Sequence, residues 1–129
     1  MTLLYCFSNA SLTRRVLTYL HKKLRRFIDY VTVIFFDDCW IVHLKLTPSI
    51  DAQCFEDCQA VFSENGLPYR LSAWIDQALK ELDGCCDPTA VMNHHQIAIV
   101  SHGAPQFEEV EHFRQQFVKG LGYCPPSLA

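Results

Sequence analysis

Residues 30–46 decide the fold: Tyr30-Val-Thr-Val-Ile-Phe-Phe36, then Asp37-Asp38, then Cys39-Trp-Ile-Val-His-Leu-Lys-Leu46. The first run is β-branched and aromatic, a composition suited to a pleated surface that packs on at least one side. The second resumes with alternating character after a two-residue polar break, so the segment predicts an antiparallel hairpin closed by Asp37-Asp38. Asp-Asp is weaker turn chemistry than Asn-Gly, so it fixes the pairing, and still more the register, less firmly.

Outward from the hairpin, each side carries a helix and then a strand. On the N-terminal side, Leu12, Val16, Leu17, Leu20, Leu24, Phe27 and Ile28 recur at helical spacing from Ser11 onward, with Ser8 or Ser11 as the cap. Before that helix, Thr2 to Phe7 is a short apolar, aromatic-rich run that predicts a buried strand. On the C-terminal side, Thr47-Pro48-Ser49 ends the hairpin, and Ile50, Cys54, Phe55, Cys58, Val61 and Phe62 repeat as a helix until Asn65-Gly66 stops it. Leu67 to Leu71, with Pro68 near its start, suits a short edge strand. The resulting βαββαβ order over residues 1–71 is that of a ferredoxin-like α+β core, an antiparallel sheet with helices on one face.

Residues 72–129 extend this core. Ser72 to Leu82 is a third amphipathic helix ended by Gly84, Cys85 to Asn93 reads as a loop around Asp87-Pro88, and Gln96 to Val100 reads as a fifth strand. Ser101 to Pro105 then turns into a last helix, ended by Gly120 and Gly122 before the Cys124-Pro125-Pro126 tail. This helix–strand–helix extension is expected to widen the sheet or to exchange with a second copy.

Composition bounds the function classes. The chain has 129 residues, half of them hydrophobic and 19% charged, enough for one domain (1–129) with a real core. No apolar run approaches the ~20 residues of a membrane span. Met1 to Phe7 lacks a basic leader region, so a cytoplasmic location and no membrane partner are expected. Seven cysteines, an odd number, argue for reduced thiols, not for a disulfide framework. The net charge of −3 conceals an asymmetry: residues 1–28 hold six cations and no acid, while every one of the 14 acids lies beyond them. Two-sided charge favours steered association with a charged partner or with a second copy. Arg14, Arg15, Lys22, Arg25 and Arg26 on one side and Glu108, Glu109 and Glu111 on the other are therefore the expected partner-binding residues. The expected function is a non-catalytic binding protein of inhibitor, immunity or adaptor type, acting on another protein or as a homodimer, with no cofactor.

Two alternatives rest on other residues. The cations of the first helix can hold phosphates, and Tyr5, Phe7, Trp40 and His43 would stack bases on an open sheet face. Leu4-Tyr5-Cys6-Phe7-Ser8-Asn9 is loosely similar to the first-strand motif of RNA recognition motifs, whereas Asp38 to Leu46 lacks the Gly-aromatic pattern of their third strand. The other alternative is a small enzyme or phosphocarrier. Ser101 and His102, within Ile97-Ala-Ile-Val-Ser-His-Gly103, stand where backbone N–H groups can bind an anion. These seven residues are similar to the strand end that bears the phosphorylated histidine in mannose-type phosphotransferase IIA domains, which there opens the domain and here lies near its end. That resemblance implies phosphoryl transfer to His102. Cys85, Cys86, His94 and His95 flank one loop and are the candidate metal ligands, without a C-x2-C unit to support them.

Overall fold

The computed structural model describes residues 1–70, 73–84, 87–95, 97–105 and 107–129, with the side chains of residues 73, 74 and 95 outside the description. The hairpin consists of β2 (Ile28–Phe36) and β3 (Cys39–Leu46), paired from Phe36 opposite Cys39 to Ile28 opposite Leu46. Asp37 and Asp38 both have left-handed backbone, φ 55° and 57°. Two consecutive left-handed residues make the turn whose twist matches that of the strands, and aspartate tolerates this region better than most side chains.

Around the hairpin stand β1 (Thr2–Phe7), α1 (Ala10–Lys23), α2 (Ala52–Asn65) and β4 (Leu67–Pro68). Helix α1 is capped by Asn9, whose side chain accepts from the Leu12 amide at 2.9 Å, and not by Ser8 or Ser11. Asp51 does the same for α2, accepting from the Cys54 amide at 2.7 Å. Gly66 follows α2 where the chain presses against β1: a Cβ there would lie 2.4 Å from the Cys6 carbonyl oxygen. β4 is shorter than the expected 67–71, and Leu71 lies outside the described residues.

The extension contains α3 (Ala73–Asp83), α4 (Pro88–His95), β5 (Ala98–Gly103) and α5 (Phe107–Leu121). Part of the expected loop is therefore a helix. Asp87 begins α4 as a cap residue, its side chain accepting from the Thr89 amide at 3.3 Å, and Pro88 occupies the first turn, where its missing N–H costs nothing. β5 is displaced toward the C-terminus of the expected 96–100, because Ser101, His102 and Gly103 pair with Val33, Thr32 and Val31 of β2.

All pairings are antiparallel, and the sheet order is β4-β1-β3-β2-β5. One face carries Leu3, Tyr5, Phe7, Val31, Val33, Phe35, Trp40, Val42 and Leu44 against α1, α2 and α5. The opposite face carries Ile34, Ile41, Leu4 and Cys6 against Ile75, Ala78, Leu79 and Leu82 of α3 and Val91 of α4. The core helices α1 and α2 share one face, as expected for residues 1–71, and the extension covers the other face with α3 and α4. Successive apolar residues in Val31–Phe36 and Trp40–Val42 present hydrophobic side chains to both sides, and both sides need cover. The tail is docked as well: Leu128 is fully buried, and the Trp40 indole N–H donates to the Ser127 carbonyl at 2.7 Å.

Candidate functional site

One residue of each charged set read from the sequence pairs with the other, at a half-buried contact between α1 and α5. Arg14 of α1 forms an ion pair with Glu111 of α5, Nη1 to Oε2 2.7 Å, and Arg114 pairs with the same carboxylate at 3.1 Å. Arg114 also donates from Nε to the Leu128 carbonyl at 2.6 Å, so this network ties α5 and the tail to α1. Arg15 donates to the Asn65 side chain at 3.2 Å. Lys22, Arg25 and Arg26 remain exposed with Lys23 at the C-terminal end of α1, where the helix dipole favours cations. Glu108 and Glu109 are exposed in the first turn of α5. A depression of about 410 Å³ lined by His21, Pro105, Phe107 and Glu108 separates those two ends.

The residues proposed for base stacking are not on an open face. Tyr5, Phe7 and Trp40 are buried beneath the helices, with Tyr5 and Phe7 edge-on to Phe62 and Trp40 against Phe35 and Phe113. His43 points to the opposite face, beneath α3.

Ser101 and His102 are neighbours in β5, so their side chains project to opposite sides of the sheet and do not converge on one reacting atom. Ser101 is buried and its hydroxyl has no hydrogen-bond partner among the described residues. His102 is exposed and its Nδ1 shares a 2.7 Å hydrogen bond with the Thr32 hydroxyl. Register places His43, Thr32 and His102 in one row across β3, β2 and β5. The Tyr30 ring packs between the two imidazoles, 5.9 Å from His43 and 5.0 Å from His102. The Tyr30 hydroxyl donates to Asp83, which also faces Lys45 at 3.9 Å. Burial and this hydrogen bond to a carboxylate push the Tyr30 phenol well above its ordinary range. His43 lines a cleft of about 250 Å³ with Asp76, Leu79, Lys80 and Asp83 of α3, and its buried Nδ1 has no partner among the described residues. Burial lowers the His43 pKa, with Lys45 and His102 adding to the effect and Asp83 opposing it. This polar end of the α3-covered face escaped the sequence reading, although His43 and Lys45 alternating with Val42 and Leu44 was its signal.

A second feature also escaped it. β5 ends the sheet, so its outer edge is unpaired among the described residues, and it carries no charged residue and no proline, the usual guards of an edge strand. Between that edge and α5 runs a groove of about 490 Å³ lined by Ile99, Val100, Glu108, Glu109, His112, Phe113 and Gln116. Phe117, packed on Phe113 at 5.2 Å and still 43% exposed, prolongs its apolar floor.

Metal ligation gains little. Cys85 and Cys86 lie outside the described residues, as does the side chain of His95. His94 Nδ1 lies 3.2 Å from Glu81 Oε1. Among the described residues, no group of three or more His, Cys, Asp or Glu side chains is placed to hold a metal ion. Burial pushes the Cys58 thiol up to about 12, and burial together with a contact to Cys6 does the same for Cys39.

No family model and no curated protein matches the chain. One solved structure similar to it is the crystal structure of the C-terminal domain of YpbH, at 19% identity and a TM-score of 0.46, covering 60% of this chain and 78% of that one.

Proposed function

We propose that the protein is a non-catalytic binding module of inhibitor, immunity or adaptor type, acting through protein–protein contacts in a cytoplasmic setting. In this reading β4-β1-β3-β2 with α1 and α2 is a ferredoxin-like core, and the extension adds the recognition surface. The observation that carries it is the groove beside β5: an uncharged free strand edge, an apolar floor of Val100 and Phe113, and a polar rim. Strand addition at such an edge supplies main-chain hydrogen bonds, while the adjoining groove selects side chains. Phe117, exposed and packed on Phe113, adds apolar surface beside the groove.

Catalysis draws less support, because Ser101 and His102 face opposite ways. Nucleic-acid binding retains only Lys22, Lys23, Arg25 and Arg26 as exposed cations of the first 28 residues, together with Arg15 on Asn65. The test is cross-linking in the host cell with wild type and Gln116→Trp, which plugs the groove from its rim. Loss of the cross-linked protein in the variant is the expected result. Unchanged cross-linking would reject the groove. Association with nucleic acid that weakens steeply with salt and requires Lys22 to Arg26 would replace this reading with the alternative.

A further inference from the structure

The groove rests on the reading just given, and its charge pattern names an occupant. Helical spacing aligns Glu109, His112, Gln116 and Lys119 along the side of α5 opposite Glu111 and Arg114, which face α1 and the tail. This stripe is acidic at its N-terminal end, with Glu108 beside Glu109, and basic at its C-terminal end. None of Glu108, Glu109 and Lys119 has an ion-pair partner among the described residues. β5 has six residues, a span of roughly 20 Å at strand rise. Glu108 to Lys119 covers roughly 16 Å at helical rise, so the opposite charges stand near the two ends of the free edge.

We infer that the edge of β5 and the open side of α5 receive a second copy of this chain. A twofold axis perpendicular to the sheet, just outside the free edge opposite the middle of β5, sets the two β5 strands antiparallel, the sense of every other pairing in the sheet. The same axis exchanges the ends of α5, so Glu108 and Glu109 of each copy face the partner's Lys119, once on each side of the axis. Val100, Phe113 and Phe117 close against their symmetry mates, and the uncharged edge acquires hydrogen-bond partners. A stripe that is negative at one end and positive at the other is complementary to itself under a twofold, which is the requirement for an isologous interface.

The experiment is sedimentation velocity of the full chain over a wide concentration range, with circular dichroism confirming that each variant is folded. Wild type should dimerise. Glu108→Lys/Glu109→Lys should weaken dimerisation about tenfold or more, and so should Lys119→Glu in a separate chain. Mixing those two variants one to one should restore association, because the mixed pair places lysines opposite glutamates at both ends. A monomeric wild type, or variants that self-associate as tightly as wild type, would overturn the inference. A monomeric wild type whose cross-linked foreign partner is lost on Gln116→Trp would overturn it while leaving the binding-module reading standing. Indifference of all association to Gln116→Trp would remove both.

Discussion

Leu128→Ala should unfold the tail's anchor and cost about 3 kcal/mol. Leu128 is fully buried in the cluster that contains Trp40, Val16 and Val110. Leucine to alanine removes three carbons, worth roughly 2.4 kcal/mol at 0.8 kcal/mol per buried methylene, and an unfilled cavity adds to that. Partial collapse of the tail sets a floor near 2 kcal/mol. Unfolding 129 residues carries an entropy of roughly 0.27 kcal/mol/K near the midpoint, so Tm should fall by about 7–11 °C. The measurements are urea titration by circular dichroism and thermal unfolding of the same samples, with tryptophan emission recorded in the native state. The tail holds the Ser127 carbonyl against the Trp40 indole N–H and the Leu128 carbonyl against Arg114. A loosened tail therefore exposes Trp40 to water and shifts its emission to the red. A loss below about 1 kcal/mol with unchanged emission would refute the docked tail, since so small a cost belongs to surface substitutions.

The hairpin double variant Asp37→Asn/Asp38→Gly should raise stability by about 1 kcal/mol, because both positions are left-handed and Asn-Gly suits them better; a loss on urea titration would contradict that turn. Folded His43 has its pKa depressed below the ordinary 6.5, so the unfolded chain binds more protons as pH falls through that value. Stability should accordingly rise with pH through a window just below about 6.5 and be lost under it, and His43→Asn should flatten that slope; an unchanged slope would place the titration elsewhere. Thiol titration of the native protein at mild alkaline pH should label exposed Cys124 quickly. Cys58, buried and pushed up to about 12, should react only on unfolding; equal rates would mean that α2 is not seated on the sheet.

Elements that carry their own periodicity were legible in the sequence. The β2–β3 hairpin and helices α1, α2, α3 and α5 follow from spacing alone, because each buries one face against something apolar. Residues 88–93 suit a loop as well as a helix, because Asp-Pro signals a turn and a helix start equally, and only the Asp87 cap decides between them. The sequence ends β5 too early because Ser-His-Gly reads as turn chemistry, while the ladder to Val31–Val33 keeps those residues extended. Burial on both faces is written in the unbroken apolar run Val33–Phe36, a signal the βαββαβ order outweighs.

The candidate site was legible only in part. The charged residues were found, but which of them face solvent depends on helix pairing: Arg14 and Glu111, 97 positions apart, are spent on each other. Glu108 and Glu109 stay free because they start α5, one turn before its contact with α1. The groove was not legible, since a free strand edge is a property of sheet order and no local pattern encodes it. The row His43, Thr32 and His102 likewise exists only through register.

The most direct test of a binding face at β5 and α5 is amide hydrogen exchange on the protein as isolated from its host with its companions bound, compared with the same protein stripped of them. Companions should slow exchange in peptides spanning 98–103 and, more weakly, in those spanning 107–119, and leave α2 unchanged. Protection confined to Lys22–Arg26, or equal exchange at β5 in both samples, would contradict it.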